Sequence, residues 1–228
     1  MSYKNVQNIA KQTMEYIKNE IQTGMSLMKI RNMCENKMLS LGADSFWYWN
    51  VGAFIFSGDE TTLSLSGSVY ITSDKKVKEN DIITIDLSPQ KGNFWGDYAR
   101  TIVLENGIIK DVSDICNEEW KNGLLMEDFL HEELCKIATP NTTFEDIYYH
   151  INDIINSKGY KNLDFLSNLG HSIETTMSER KYIEKGNKEK ISSAKCFTFE
   201  PHISKDNSKY GYKKEDIYYF ENGELRKL

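Results

Sequence analysis

Two aspartates, Asp86 and Asp97, stand in segments whose composition predicts buried strands. Asp86 ends the apolar run Ile-Ile-Thr-Ile-Asp-Leu, where a lone carboxylate is costly to bury unless a cation or a donor compensates it. Asp97 lies in Phe-Trp-Gly-Asp-Tyr-Ala-Arg-Thr-Ile-Val, and strand alternation puts it on one face with Ala99 and Thr101. A hairpin would bring the two carboxylates together, and because like charges repel, either one is protonated or a cation lies between them. The pair is therefore a candidate metal site.

Four segments carry helical patterns. Apolar side chains recur at helical spacing over residues 4–22, and a second helix is predicted over residues 27–41, ending before a glycine. Helical composition returns over residues 111–137 and again over residues 143–157. The last helix opens with Thr-Thr-Phe-Glu, a capping-box pattern that puts one of the two threonines near the N-cap.

Strand composition follows each pair of helices. Residues 46–71 are rich in aromatic and β-branched side chains, and residues 82–87 and 94–104 flank a turn-rich segment that predicts antiparallel pairing. Two further strands are predicted over residues 195–200 and 216–220. The pattern predicts an α+β protein of two successive halves, each with two helices and then strands, although no close sequence repeat relates them.

The composition is that of an ordinary globular protein, with 228 residues, 39% hydrophobic and 27% charged. With only three prolines and no Gly/Ser-rich linker, residues 1–228 are expected to form a single domain. The formal net charge of -6 disfavours nucleic-acid binding. Because no signal-peptide pattern and no apolar run of about 18 residues is present, a cytoplasmic protein without a membrane partner is expected. The four cysteines lie far apart with no CxxC pair and are expected to be reduced, buried and inert.

Five short segments, taken together and in order, carry a family resemblance. They are Asp86, Asp97-Tyr-Ala-Arg-Thr101, Gly170-His171-Ser-Ile, Phe197-Thr-Phe-Glu200-Pro201 and Gly211-Tyr-Lys-Lys-Glu215-Asp216. In this order they resemble the M24 metallopeptidase superfamily, which comprises methionine aminopeptidases, Xaa-Pro peptidases and creatinase. Each segment alone is a weak signal, but five in the right order are a strong one. The resemblance implies the pita-bread fold, with two pseudo-symmetric helix-helix-strand halves around a metal site.

The resemblance also implies a set of metal ligands. Asp97 and Glu215 would bridge two divalent ions, Asp86 would chelate one, and His171 with Glu200 would complete the other. Such an oxygen-rich site suits Mn, Fe or Co at least as well as Zn. Two such ions would share a water, present it as metal-bound hydroxide and polarise a carbonyl, with His171 and Glu200 as the catalytic candidates and Glu200 as the proton shuttle.

The sequence departs from the family at two substrate-contacting histidines. The positions where the first imidazole would follow Gly58 carry hydroxyl or aliphatic side chains: Thr62, Leu63, Ser64 and Leu65. The second would fall seven residues after His171, where the chain has Ser178 as the remaining substrate-contacting candidate. His202, two residues beyond Glu200, could supply an imidazole from another direction. Loss of one oxyanion donor typically costs about 10² to 10³ in turnover, so ordinary peptidase activity would need a replacement.

Several further residues are assigned by their positions. Arg100 and Thr101, in the Asp97 segment, are expected to support the ligands by hydrogen bonding. His131 and His150 lie on predicted helices without ligand spacing and are expected at solvated or core-edge positions. Six aromatic side chains could wall an apolar substrate pocket, or equally form core: Phe46, Trp47, Tyr48, Trp49, Phe54 and Phe56. Of these, Trp47, Trp49 and Phe56 are assigned as substrate contacts.

Three functions remain open at this stage. The leading prediction is an aminopeptidase, of the Xaa-Pro or methionine aminopeptidase kind, that cleaves short peptides with two divalent ions (Mn, Co, Fe or Zn). A creatinase-like hydrolase of a small non-peptide amide or amidine is the alternative that the missing imidazoles favour. A non-catalytic binding module of the same fold is the third, although such a module has no need of five ligands. The Xaa-Pro branch suggests a possible homodimer.

Overall fold

The N-terminal half begins with two helices, α1 (Tyr3–Glu20) and α2 (Leu27–Ser40). The computed structural model describes residues 2–228 of the chain. Helix α2 is opened by Ser26, whose Oγ accepts a hydrogen bond from the backbone N–H of Lys29 at 3.2 Å. Gly42 lies just past its end with φ of +102°, a conformation that glycine adopts without strain. Both helices predicted here are confirmed to within two residues.

Seven strands complete this half: β1 (Ser45–Phe46), β2 (Ala53–Ser57), β3 (Asp81–Leu87), β4 (Pro89–Lys91), β5 (Phe94–Trp95), β6 (Tyr98–Glu105) and β7 (Ile108–Lys110). Antiparallel pairing gives one sheet in the order β2-β3-β6-β7 and a small one in the order β1-β4-β5. Strands β3 and β6 pair as predicted, with Asp86 opposite Ala99. The strand predicted over residues 94–104 is interrupted at Gly96 and Asp97, so Asp97 lies immediately before β6 rather than within it.

Most of the segment 46–71, predicted as strand, is irregular instead. Beyond β2, residues Gly58–Thr62 form a short 3₁₀ helix and the chain then runs without regular structure. Aromatic side chains of this segment pack on one another, and the Phe54 and Tyr70 rings lie 4.5 Å apart. The Tyr70 hydroxyl also contacts the backbone N and O of Ile55 at 2.8 and 3.2 Å on the free edge of β2. The aromatic composition therefore covers the edge of a sheet rather than adding strands to it.

The C-terminal half begins with α3 (Glu118–Ile137) and α4 (Phe144–Ser157). Helix α3 starts seven residues later than predicted, because Asn117 acts as its N-cap and accepts hydrogen bonds from the first-turn N–H groups. Thr143 is the N-cap of α4, and its capping-box partner is Asp146. The pattern located this helix correctly, although the acidic partner lies one residue beyond the glutamate of the Thr-Thr-Phe-Glu segment.

Six strands follow: β8 (Tyr160–Asn162), β9 (Phe197–Phe199), β10 (His202–Lys205), β11 (Tyr212–Lys213), β12 (Asp216–Glu221) and β13 (Glu224–Lys227). They form two antiparallel sheets in the orders β11-β10-β8 and β13-β12-β9. The two predicted strands correspond to β9 and β12, which pair with each other. The other four are short and carry many polar residues, so their composition gave no strand signal.

Each half has its own large hydrophobic core, and the backbone N–H of Glu215 donates to Ala99 O at 3.0 Å across the two halves. No helix of residues 2–228 is long and apolar enough to cross a membrane. Cys34 and Cys196 are buried, whereas Cys116 and Cys135 are exposed, so the expectation that all four cysteines are buried is wrong.

The placement expected for His131 is also wrong, because this side chain is buried where α3 packs against the C-terminal strands. Its Nδ1 lies 2.8 Å from the Tyr218 hydroxyl, and its Nε2 lies 3.0 Å from Lys214 O. Burial lowers the pKa of His131 to about 3, so the imidazole is neutral. His150, in contrast, is exposed as expected.

Candidate active site

Three carboxylates meet around Ala99 of β6. Asp86 of β3 lies opposite Ala99 in the strand register, and Asp97 precedes Ala99 by two residues. The backbone N–H of Glu215 donates to the carbonyl of Ala99. One ligand atom from each of Asp86, Asp97 and Glu215 lies within 4.8 Å of the other two. Antiparallel pairing and contacts between the halves therefore bring together residues separated by up to 129 positions.

His171 and Glu200 lie on the other side of Asp97. His171 Nε2 is 3.5 Å from Asp97 Oδ2 and 3.6 Å from Glu200 Oε1. The Nδ1 of His171 lies 2.9 Å from Ser172 O, and a carbonyl can only accept, so Nδ1 carries the proton. A metal-ligating histidine with a protonated Nδ1 binds its ion through Nε2, and Nε2 is the His171 atom that faces the two carboxylates.

Gly170 makes the approach of His171 possible. It has φ of +143°, and a Cβ added to it would lie 2.2 Å from Thr198 O. Any side chain at this position would push the His171 segment away from β9, whose Thr198 N–H donates to His171 O at 2.7 Å. The Gly-His pair is therefore a steric requirement of the site.

Burial and mutual repulsion disfavour the ionised form of Asp97 and Glu215. Burial raises the pKa of Asp97 to about 7, and repulsion from Asp86 adds to the effect. Burial, then Asp97 and Glu200, raise the pKa of Glu215 well above its usual range. Both carboxylate oxygens of Glu215 are buried without any hydrogen-bond partner among residues 2–228. Such orphaned oxygens are costly unless a cation binds them, so the residues present fit a metal site.

Lys213 is a site residue that the sequence analysis missed. Its Nζ lies 2.6 Å from Asp86 Oδ2 and 3.0 Å from Glu200 Oε2, bridging carboxylates assigned to different ions. Burial acts to lower the pKa of Lys213, but Asp86 and Glu200 outweigh it and the pKa is raised. Burial likewise acts to raise the pKa of Glu200, yet Lys213 and His171 outweigh it and the pKa is lowered. The available sequence signal was that Lys213 precedes the candidate ligand Glu215 by two residues, the spacing at which strand residues share one face.

Gln7 of α1 fixes the backbone of Asp97. The Gln7 Oε1 accepts from the Asp97 N–H at 2.8 Å, and Gln7 Nε2 donates to Asp97 O at 2.6 Å. The side chain of Gln7 is buried, so no water replaces either bond. These two hydrogen bonds fix the backbone of Asp97, the residue that lies immediately before β6.

Replacing Gln7 with leucine is expected to destabilise the protein and weaken metal binding. The variant leaves two buried backbone groups of Asp97 unpaired, which should cost about 2 kcal/mol or more. Loss of a group that orients a ligand typically reduces metal affinity about 10- to 100-fold. Urea denaturation and manganese titration measure the two effects.

The Asn8→Leu variant is the matched control, because it makes the same kind of change at an exposed position of the same helix. Equal effects of the two substitutions would contradict the role given to Gln7.

Arg100 and Thr101 act on the backbone of the ligand segment. Arg100 Nη1 donates to Glu215 O at 2.7 Å, and Nη2 lies 2.8 Å from Asp216 Oδ1. Thr101 Oγ1 bonds with both the N–H and the carbonyl of Lys213. Both side chains therefore contact the segment that carries the candidate ligand Glu215, and Arg100 holds the carbonyl of Glu215 rather than its carboxylate.

A pocket opens over this cluster, with an aromatic wall on one side. Of the residues predicted to contact substrate, Trp47, Phe56 and His202 line it. Trp49 adopts φ of +56°, packs against Gly67 and is largely exposed, and Ser178 is exposed in the short 3₁₀ helix Met177–Glu179; neither lines the pocket. Tyr48 and Phe54, aromatic candidates from the same segment, line the pocket as well. The other main lining residues were not predicted from the sequence: Leu63, Leu65, Phe165, Leu166, Arg180 and Tyr182.

His202 is held in one tautomer. Its Nε2 donates to Thr61 O at 2.7 Å, and burial lowers the pKa of His202 to about 4. The neutral ring has a single N–H, which this bond uses, so its Nδ1 can accept but not donate. His202 in this arrangement has no free N–H to donate to an oxyanion, the role that the sequence left open for it.

The pKa of Asp97 leads to a pH prediction for the metal-free protein. An unfolded aspartate titrates near about 4, whereas the folded pKa is about 7, so between these values only the folded state keeps the proton. The stabilisation from this proton is complete below the unfolded pKa and is lost as the pH rises through the folded pKa. The loss has a slope of up to about 1.4 kcal/mol per pH unit.

Urea denaturation in EDTA would measure the free energy of unfolding of wild type and of Asp97→Asn at each pH. We expect the value for wild type to fall relative to that for the variant as the pH rises from about 4 to about 7. Other titrating groups contribute to both proteins and largely cancel. Parallel curves from pH 4 to 7 would contradict the raised pKa.

Comparison with known proteins gives one family match and a set of shared folds. Residues 2–222 match the family model of metallopeptidase family M24. An uncharacterized peptidase of Staphylococcus epidermidis is 24% identical over 223 residues, which cover 98% of this chain and 59% of that protein. The prolidase from Pyrococcus furiosus superimposes with a TM-score of 0.81 at 21% identity, over 98% of this chain and 61% of that chain.

A methionine aminopeptidase from Thermotoga maritima superimposes with a TM-score of 0.76 at 14% identity, over 99% of this chain and 93% of that chain. The structural matches confirm the predicted fold. The chain spans about three fifths of the length of the Staphylococcus and Pyrococcus proteins.

Proposed function

The chain belongs to metallopeptidase family M24, and on that basis we propose that it is a metal-dependent aminopeptidase that cleaves short peptides. Two divalent ions, from among Mn, Co, Fe and Zn, would be held by five residues: Asp86, Asp97, His171, Glu200 and Glu215. Because these ligands come from both halves of the fold, we further propose that residues 1–228 act as one catalytic domain.

The buried carboxylate of Glu215 is the observation that carries this proposal. Its side chain is almost fully buried, and neither oxygen has a hydrogen-bond partner among residues 2–228. Four carboxylates share this site with one ammonium group, that of Lys213. Retaining such an excess of buried negative charge is costly unless cations bind there. Two divalent ions would supply the missing positive charge.

The residues of the site suit peptide hydrolysis. The ions would lower the pKa of a shared water and polarise the scissile carbonyl. Lys213 and His171 keep Glu200 ionised, as its lowered pKa indicates, so Glu200 enters the reaction as a proton acceptor. Its Oε2 lies 3.0 Å from Lys213 Nζ, and its Oε1 accepts a hydrogen bond from Thr198 Oγ1 at 3.1 Å. The wall formed by Trp47 and Tyr48 would exclude bulk water from the bound peptide.

Hydrolysis of a small non-peptide amide or amidine is the second candidate function. It is favoured by the hydrogen bond of His202 to Thr61, which leaves the pocket without an imidazole donor from that residue. A smaller substrate places fewer demands on such donors.

The experiment that tests the proposal is a hydrolysis assay with added manganese. The substrates are dipeptides with proline second, peptides with methionine first, and small amides and amidines. We expect hydrolysis of at least one peptide class, abolished by EDTA and restored by manganese, with the Asp97→Ala variant inactive. Turnover of only the small amides would favour the second candidate. Metal binding without turnover of any substrate would leave a non-catalytic binding module.

A further inference from the structure

His131 of α3 bonds to the backbone of residues 213–215, the ligand segment. Its Nε2 lies 3.0 Å from Lys214 O, and its Nδ1 lies 2.8 Å from the Tyr218 hydroxyl. A carbonyl oxygen can only accept, so Nε2 carries the proton and Nδ1 accepts from the hydroxyl. The ring is buried, and both of its nitrogens are used in these two bonds. His131 therefore donates to one particular peptide, the one that joins Lys214 to the candidate ligand Glu215.

The other side chains that bond to this backbone come from the N-terminal half of the fold. Thr101 bonds with the N–H and the carbonyl of Lys213, and Arg100 donates to Glu215 O. Both of these side chains belong to β6. Within the described part of the chain, His131 is the one side chain of the C-terminal half that bonds to the backbone of the ligand segment. The segment is therefore held from both sides, by β6 and by α3.

Close packing of α3 on β11 places His131 within reach of the ligand segment. A Cβ added to Gly123 would lie 2.2 Å from the Tyr212 ring, so only glycine lets the helix and the strand lie this close. The Tyr212 hydroxyl donates to Glu119 O at 3.0 Å, a second contact between the same two elements. Gly123 and His131 are eight residues apart and share one face of the helix, because positions four apart lie one above the other. The bond to Lys214 O therefore follows from how α3 packs.

Fixing the Lys214 carbonyl fixes the directions of the side chains before and after it. Successive side chains of an extended chain point to opposite faces, so Lys213 and Glu215 share one face. The ion pairs show this alternation, because Lys213 Nζ lies 2.6 Å from Asp86 Oδ2 whereas Lys214 Nζ pairs with Asp128 of α3. Rotation of the peptide that follows Lys214 would turn the Glu215 carboxylate away from the place where both of its oxygens are buried without a partner.

We propose that His131 is a positioning residue of the metal site, which holds the Glu215 carboxylate in place through Lys214 O. This inference rests on the proposed function, because it assigns His131 a role toward the same site. Loss of a group that orients a ligand typically reduces metal affinity about 10- to 100-fold. A variant that keeps an N–H at the Nε2 position should keep the affinity. The side-chain amide N–H of glutamine can take that position, whereas that of asparagine can take only the position of Nδ1.

The first measurement is manganese affinity by calorimetry on the full chain. We expect His131→Phe and His131→Asn to bind manganese about 10- to 100-fold more weakly than wild type, and His131→Gln to stay close to wild type. Leu134→Ala is the matched control, because Leu134 is buried in the apolar core on the same helix. This control should be less stable to urea, because it leaves a cavity, and should keep the wild-type manganese affinity.

A double-mutant cycle in EDTA measures the same link without any metal. Glu215→Gln should stabilise wild type, because it removes a buried carboxylate that has no partner. In the His131→Phe background the ligand segment is released and the carboxylate can turn toward water, so the same substitution should stabilise less. We expect the two effects on the equilibrium constant of unfolding to differ by at least about 2-fold, the lower end of the coupling between groups linked through one backbone shift.

Wild-type manganese affinity in His131→Phe, an equal loss in His131→Gln, or an equal loss in Leu134→Ala would overturn the inference. Additive effects in the cycle would also overturn it. If His131→Phe does not fold, His131→Asn takes its place in both measurements. Wild-type protein that binds no manganese while the cycle remains coupled would defeat the proposed function and leave the role of His131 in placing Glu215.

Discussion

Replacing Glu215 with glutamine is expected to abolish hydrolysis while making the metal-free protein more stable. Both carboxylate oxygens of the candidate ligand Glu215 are buried without a partner, and burial disfavours their negative charge. Glutamine has nearly the same shape but cannot ionise, so the folded variant does not bear that cost. The pKa of Glu215 is raised in the folded state, so the gain should be present at neutral pH and vanish near about pH 4, where the unfolded glutamate is protonated too. Loss of a bridging ligand should reduce turnover by about 10³-fold or more.

The measurements are urea denaturation in EDTA and manganese-dependent hydrolysis. Glu127→Gln is the matched control, because Glu127 is also a buried glutamate with two unpartnered oxygens and a raised pKa, yet it is not a ligand. It should stabilise the metal-free protein while leaving manganese binding in place. A Glu215→Gln protein that still binds two ions, or that is less stable than wild type in EDTA, would contradict the account of the cluster.

Replacing Lys213 with methionine is expected to have the opposite effect on the metal-free protein. Lys213 is the buried cation between Asp86 and Glu200, and removing one partner of a buried pair typically costs about 3 to 5 kcal/mol. Manganese should restore most of this loss, because the ions then supply the positive charge. The stabilisation conferred by saturating manganese should therefore be larger in the variant than in wild type, as thermal denaturation with and without the metal can measure.

The matched control for this variant is Lys214→Met. Lys214 is the next residue but pairs with Asp128, whose side chain is 46% exposed, so its loss should cost less than about 1 kcal/mol. If manganese failed to rescue the stability of Lys213→Met, Lys213 would be holding the site by shape rather than by charge.

The sequence singled out Asp86 and Asp97 because each stands at a point of local conflict, whereas His171, Glu200 and Glu215 were assigned only through the family resemblance. Asp86 ends a run of apolar residues, and the Asp97 segment has the alternation of a strand. A charged residue in a buried context is costly, and such conflicts mark functional sites. The structure places all five assigned residues together within one pocket or cluster, and their role as metal ligands stays a prediction.

The residues that support the ligands could not be predicted in the same way. Gln7 is an ordinary polar residue on a helix, and its contact with Asp97 spans 90 positions of the chain. Lys213 stands beside a second lysine in a polar segment, where charged residues are usually solvated. Both roles follow from tertiary contacts that no local pattern specifies. The same applies to His131, whose helix position gave no sign that β12 would bury it.

The substrate pocket was predicted only in part, for a related reason. Composition marked residues 46–71 as aromatic but could not distinguish strand pairing from packing on the edge of β2. Trp47 and Trp49 differ by two positions, yet the positive φ of Trp49 turns it away from the pocket that Trp47 lines. A backbone reversal of this kind is set by the surrounding fold rather than by the residue type.

Metal content is the most direct test of the central claim that five residues form a two-ion site. The full chain, purified without added metal and then equilibrated with manganese, would be examined by elemental analysis beside the Asp97→Ala variant. The account predicts two ions per chain in wild type and loss of both in the variant, because Asp97 lies between the two groups of ligands. Wild-type protein that takes up no manganese or cobalt, or a variant that binds as many ions as wild type, would contradict it.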